Sequence, residues 1–230
     1  PEECIHQLYQ NIKDVRQYAL DFPADSTEHN PANYKKQIHG YKKDTIGCDL
    51  WTCTILKQMP DIVISNIADD CKAVVDTVCL PHQSLLSLNS VLGKPNGGIR
   101  TISMTPMITS RMINRVSTAV KTWEVKISAK CNYDTAKKGS NALDAALSRN
   151  LLAEVAFWQK RAFGAAFNDY HKFFDTIDIN ILLEQALYSE YPTTNICLAM
   201  QQHLAPRVIT VSGFASDPVS ITHSILAGCQ

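Results

Sequence analysis

An α+β fold is predicted from three patterns in the 230-residue sequence. Several stretches space their apolar residues three and four apart, as amphipathic helices do. Two short extended runs flank a Pro-Asn-Gly-Gly turn, the signature of a β-hairpin. A run of small apolar residues, Ala162 to Asn168, ends at Asp169 and has the character of a buried strand.

The elements follow in order. Residues 3–20 form a helix with Ile5, Leu8, Ile12 and Val15 on one face. Residues 23–45 are polar and carry Pro23, Pro31 and Gly40, so a linker is expected. Its Lys35, Lys36, Lys42 and Lys43 suit a solvated segment. A short helix is predicted over 46–58 around Trp51. A longer one runs from Pro60 to Val78, with Pro60 in its first turn and Ile64, Ile67, Cys71, Val74 and Val78 inward.

Leu85 to Leu92 is apolar and extended, Lys94-Pro-Asn-Gly-Gly turns the chain, and Ile99 to Met104 returns. Pro106 opens a helix to Trp123, with Ile108, Met112, Val116 and Val120 inward and Arg111 and Arg115 one turn apart on another face. Lys126 to Gly139 is irregular. Ser140 is the expected N-cap of a helix to Lys160, with Leu143, Leu147, Leu151 and Val155 inward. After the strand to Asp169, Asp178 caps a helix to Glu190. Residues 194–204 are helical. Arg207–Val211 and Val219–Thr222 are predicted strands around residues 212–216.

Composition bounds the function. Hydrophobic residues make up 45% and charged residues 19%, enough apolar content for a packed core. No apolar run approaches the ~18 residues of a membrane helix, and no signal peptide is expected, since Pro1-Glu-Glu-Cys lacks a basic start and an apolar stretch. The chain begins at Pro1 rather than Met, so a fragment of a longer protein is expected. The eight cysteines form no CxxC pair and no zinc-type cluster, which implies buried, reduced thiols of an intracellular protein.

Formal net charge is zero, but it is unevenly placed. Lys94 to Lys130 holds seven basic residues against one acid, Glu124. Phe167 to Gln230 holds six acids against two bases, Lys172 and Arg207. A basic segment followed by an acidic one suits a polyanion grip beside a metal site, and equally suits ordinary solvated surface.

The sharpest chemical signal is Phe167-Asn-Asp-Tyr-His-Lys-Phe-Phe-Asp175. A carboxylate at the end of a buried strand is costly unless it holds a cation. Asp169-x-x-Lys172-x-Phe174-Asp175 resembles the first palm motif of reverse transcriptases, especially those of non-LTR retrotransposons and group II introns. The resemblance implies that Asp169 and the carbonyl of Tyr170 ligand two Mg²⁺ ions. It implies that Phe174 lies under the sugar and excludes a 2′-hydroxyl, and that Lys172 and Asp175 support the motif. Asn168 and Phe173 depart from the usual apolar and small residues.

Lys94-Pro-Asn-Gly-Gly-Ile-Arg100-Thr-Ile-Ser resembles the fingers hairpin of the same family, whose Lys and Arg grip the incoming triphosphate. A point cation and a forked one suit that ligand. Thr101 replaces the usual Pro. Lys138-Gly-Ser-Asn-Ala-Leu-Asp-Ala-Ala resembles a helix start of the family, without the Gln-x-Gly-Phe that usually precedes it. Arg207-Val-Ile-Thr-Val-Ser-Gly with Ser224-Ile-Leu-Ala-Gly-Cys-Gln230 resembles the strands leading into the second palm motif. Tyr170-His-Lys-Phe-Phe-Asp175 and Gln201-Gln-His-Leu-Ala-Pro-Arg-Val208 are similar to retroelement polymerases of the dinoflagellate type. Ile67-Ala-Asp69-Asp70 resembles the family's "YADD" carboxylates, but it precedes the hairpin and has helical spacing, so it is assigned to a helix surface.

The resemblance spans roughly residues 83–230. It implies a partial right-hand polymerase: a helical region over 1–82, fingers over 83–165 and the start of the palm over 166–230. The expected reaction is RNA-directed DNA synthesis, with RNA template, DNA primer and dNTP as partners. Arg111, Arg115 and Lys121 are expected at template or backbone, and the location is expected to be nuclear or cytoplasmic. The chain ends as the second motif begins, so it is expected to be inactive alone. Two alternatives stay open: a decayed or co-opted fragment that binds nucleic acid or a partner, and an unrelated helical scaffold.

Overall fold

The computed structural model describes residues 2–41, 46–108, 112–130, 141–165, 173–221 and 224–226. The chain is α+β, with one small mixed sheet. It divides into two compact units, residues 1–121 with 172–230, and residues 122–171.

The first unit opens with α1 (Glu2–Asp21), as the apolar spacing requires. The expected linker is not uniformly irregular: Pro31–Gly40 forms α2. Asn30 caps it by accepting the Asn33 amide at 3.0 Å, and Pro31 stands at its start. Tyr34 and Ile38 are buried on its inner face. The polar composition concealed a helix with only two anchoring residues. Lys35 pairs with Asp61 at 2.6 Å, while Lys42 and Lys43 lie outside the described residues.

The predicted 46–58 helix shrinks to α3 (Cys53–Lys57), capped by Thr52. Gly47 and Asp49 instead form a turn, with the Leu50 amide bonding the Gly47 carbonyl at 3.1 Å. Helix α4 (Asp61–Thr77) begins one residue after Pro60, which is the N-cap residue. Ile64, Ile67, Cys71 and Val74 are buried as expected. Val78 ends the helix at φ 48°, a left-handed conformation that is strained for a β-branched residue. Asp69 and Asp70 are exposed on this helix, where the sequence assigned them.

After a 3₁₀ turn (His82–Ser84), β1 (Ser87–Gly93) and β2 (Ile99–Met104) make the predicted hairpin. The single predicted 106–123 helix is broken. Helix α5 (Met112–Val116) stops at Ser117, and α6 (Thr118–Lys130) starts afresh. The break has a clear cause: the Glu28 carboxylate accepts the Thr118 amide at 2.8 and 2.9 Å, and Ser117 Oγ accepts the Val120 amide at 3.4 Å. Helix α6 also runs through 126–130, which had been expected to be irregular.

Within this unit a four-residue helical turn, α8 (Phe173–Thr176), precedes α9 (Ile179–Tyr188) and α10 (Thr193–Leu204). Asp178 caps α9 as predicted, accepting the Asn180 amide at 2.8 Å. Helix α10 is buried nearly all round because three clusters meet on it. Ile196 and Met200 pack with Leu8, Ile12, Ile179 and Leu183. Cys197 packs with Ala19 and Val78. Leu198 joins the largest cluster, with α2, α4 and α5.

Strand β3 (Arg207–Val211) lies parallel to β1, and β4 (Phe214–Ala215) turns back on it, giving the order β2-β1-β3-β4. The second strand of the predicted pair is therefore 214–215. Val219 makes only an isolated bridge to Arg207, and 222–223 are outside the described residues.

In the second unit, α7 (Ala142–Trp158) is capped by Asn141, one residue after the predicted Ser140, which is outside the described residues. Leu143, Leu147, Leu151 and Val155 are exposed, not inward. The helix is apolar on several faces, and none of its side chains is buried. Residues 161–165 are exposed and carry no strand, so the described part of the predicted buried strand is absent; 166–168 are not described.

Candidate functional site

The hairpin is built by its turn. Gly97 and Gly98 both have φ 82°, a conformation that favours glycine. Lys94 and Gly98 close the turn with a backbone bond at 3.0 Å from the Lys94 amide. The register pairs Leu92 with Arg100 and Gly93 with Ile99. Carried one step further, it pairs Lys94 with Gly98. Lys94 and Arg100 therefore lie on the same face as diagonal neighbours, at roughly 7–8 Å. Both side chains are exposed, and among the described residues neither has a hydrogen bond or ion pair.

The other basic residues are engaged locally. Arg115 stacks over the Tyr41 ring at 4.7 Å. Lys121 donates from Nζ to the Val116 carbonyl at 3.1 Å, where it complements the end of α5. Arg111 lies outside the described residues, as do Asp169, Tyr170 and Lys172.

Phe174 and Asp175 are described, and both are exposed. Phe173 and Phe174 meet edge to face at 5.5 Å between ring centroids. The Phe174 carbonyl accepts the Ile225 amide at 3.0 Å, and the Ile177 carbonyl accepts the Ser224 amide at 3.2 Å. The Phe174–Ile177 turn is thus joined to the Ser224–Ile225 segment.

A residue that sequence reasoning passed over sits at this junction. Arg207 is 5% exposed. Its Nη1 donates to Ser224 Oγ at 2.8 Å, and its Nη2 donates to the carbonyls of Ser224 at 3.1 Å and His203 at 3.3 Å. Burial lowers the Arg207 guanidinium from its ordinary value, and the Asp175 carboxylate opposes that shift. Its Nε and the hydroxyl of its register partner Ser87 have no partner among the described residues. His203 Nδ1 accepts the Leu226 amide at 3.2 Å. The one available signal in the sequence was an arginine opening an apolar strand directly after a proline.

The site residues fall into two groups. Arg207 pairs with Ser87 at the start of β1, whereas Lys94 follows its end. Lys94 lies seven positions after Ser87, roughly 20–25 Å along a strand. The structure brings Lys94 and Arg100 together, and Phe174 with Asp175 near Arg207, but leaves the two groups at opposite ends of the sheet.

Elsewhere in the first unit, an open cleft of about 730 Å³ is lined by Trp51, Cys71, Leu80 and Ile108, with Asp49 and Asp70. Asp49 is committed to the backbone, accepting the Met107 amide at 2.8 Å and the Trp51 amide at 3.3 Å. Cys71 is an inert thiol, pushed up to about 11 by burial. Among the described residues no group of three His, Cys, Asp or Glu could hold a metal ion. The donors named for Mg²⁺, a carboxylate and a carbonyl, are oxygens of the type that ion takes. No described helix is long and apolar enough to cross a membrane.

No family model matches the chain, and no curated protein matches it.

Proposed function

We propose that the chain is the fingers and opening palm of an RNA-directed DNA polymerase. The observation that carries the reading is the pair Lys94 and Arg100, unpartnered on one face at the tip of a two-glycine hairpin. A point cation beside a forked one is the arrangement a triphosphate needs. Phe174, exposed on a turn anchored through its own backbone, would meet the sugar and favour a deoxynucleotide. Asp169 and the Tyr170 carbonyl would hold Mg²⁺, which neutralises phosphate charge and activates a primer hydroxyl. Because the cations and Phe174 lie at opposite ends of the sheet, the reading requires the hairpin to close toward the palm when nucleotide binds.

The test is binding of Mg·dATP to the 230-residue chain. Lys94→Ala and Arg100→Ala should each weaken it at least about tenfold. Phe174→Val should equalise affinity for dATP and ATP. Absence of Mg·dATP binding by the unaltered chain would sink the proposal.

The separation of the two groups favours a second reading, a non-catalytic nucleic-acid-binding module. It predicts salt-dependent RNA binding through Lys94 and Arg100, with no nucleotide binding and no contribution from Phe174.

A further inference from the structure

We propose that Arg207 is a positioning residue that holds Ser224 in a strained conformation and thereby clamps the Phe174–Ile177 turn to the Ser224–Leu226 segment.

Three observations converge. Ser224 has φ 82°, a left-handed value that is strained for a serine and persists only where neighbours over-determine it. Arg207 supplies that determination, bonding both the hydroxyl and the carbonyl of Ser224 while the Ser224 amide bonds Ile177. Ile225 then presents its amide to the Phe174 carbonyl at 3.0 Å. The second observation is the charge itself. A buried guanidinium is a poor source of net stability, because desolvation offsets its hydrogen bonds. A planar fork is, however, well suited to bridging a hydroxyl and a carbonyl of one residue. The third is the anchoring of Arg207. Its amide donates to the Val219 carbonyl at 3.0 Å, and its carbonyl accepts the Val219 amide at 2.9 Å. Its guanidinium also reaches the His203 carbonyl at the end of α10. The clamp is therefore mounted on the sheet and on the most buried helix.

The consequence for Phe174 rests on the nucleotide reading above. With Ser224 held, the backbone of Phe174 is fixed, and its ring is presented to a sugar in one place. Released, the ring would no longer discriminate. Arg207 would thus set sugar preference without touching the nucleotide.

The clamp is tested first without nucleotide, by amide hydrogen exchange of the 230-residue chain. Arg207→Met should speed exchange at Ser224 and Ile225 at least about tenfold, leaving the α4 amides unchanged. Arg207→Lys should not restore full protection, since one shorter-reaching ammonium does not replace the two nitrogens that serve Ser224 Oγ and the Ser224 and His203 carbonyls together. Wild-type exchange at Ser224 and Ile225 in Arg207→Met overturns the clamp. Should Arg207→Met unfold the chain, Ser224→Ala decides: faster local exchange in an otherwise protected chain supports the clamp, and unchanged exchange overturns it. The second measurement is the dATP-to-ATP affinity ratio with Mg²⁺. A tenfold or greater fall in Arg207→Met, with Lys94-dependent affinity retained, supports the role toward Phe174. A loosened clamp with an unchanged ratio overturns that role. Failure of the unaltered chain to bind Mg·dATP removes the nucleotide reading, while the exchange result still decides the clamp.

Discussion

Gln201 grips the chain just after the strained residue Val78: its Nε2 donates to the Val78 carbonyl at 2.9 Å, and its Oε1 accepts the Leu80 amide at 2.9 Å. Arg16 adds bonds to the Val78 and Thr77 carbonyls at 3.1 and 2.9 Å. Together they hold Val78 at φ 48° with its side chain 1% exposed, where α4 ends. Gln201→Met keeps the volume, leaves the part-buried Leu80 amide unpaired and leaves the Val78 carbonyl to Arg16 alone, so it should cost about 1–3 kcal/mol. Urea unfolding measures this. A loss under ~0.5 kcal/mol would mean that Arg16 suffices.

Acid should destabilise the first unit through His203. Burial, and secondarily the Arg207 cation, pull its imidazole down to about 4. As an acceptor from Leu226, Nδ1 must be unprotonated. A folded value below the unfolded one of 6.5 means that the unfolded chain binds the proton first. The contribution is complete above pH 6.5 and is lost as pH falls toward 4, about 3 kcal/mol in all. Buried His29 is lowered by burial as well and acts in the same direction. His203→Gln, whose amide oxygen can accept the Leu226 amide, should flatten most of the decline in urea midpoints between pH 7 and pH 4. An unchanged slope would place the acid sensitivity elsewhere.

Gly47 is required by close approach rather than by its backbone angle. A Cβ there would stand 2.8 Å from the Met107 nitrogen and 2.9 Å from the Thr105 oxygen. The same turn delivers the Asp49 carboxylate to the Met107 amide. Gly47→Ala should therefore destabilise by about 1–3 kcal/mol, as overpacking does. Thermal unfolding would show a lower midpoint, and an unaltered one would mean that the 105–107 segment yields freely.

The two long apolar helices should respond oppositely to substitution. Ile64 on α4 is 2% exposed, and Ile64→Ala should cost about 2–5 kcal/mol. Leu147 and Leu151 on α7 are 56% and 51% exposed, and Leu147→Lys or Leu151→Lys should stay within about 0.5 kcal/mol. Comparable losses at both helices in urea unfolding would show that α7 is buried in solution.

Local chemistry alone determined much of this protein. The spacing of Ile64, Ile67, Cys71 and Val74 specifies α4 because one face of a 3.6-residue repeat must be buried. Asp178 specifies where α9 begins because its carboxylate satisfies amides that the helix leaves open. Gly97 and Gly98 specify the hairpin, and through it the shared face of Lys94 and Arg100, because only glycine enters that turn cheaply. Helix α2 was missed because tertiary burial of Tyr34 and Ile38, not periodic patterning, holds it.

Other features depend on residues far apart in sequence. Glu28 breaks the helix at Ser117 across 90 positions. Leu143 and Leu147 have the inward spacing of a core helix yet remain exposed, because spacing defines a face and says nothing of what covers it. Arg207 becomes buried only because β3 pairs with β1 and Ser224 folds back onto its guanidinium. Sequence identifies a residue's chemistry and its local conformation. Whether that chemistry is spent in the core or offered to a ligand is decided by non-local contacts, since only they fix solvent access and partners.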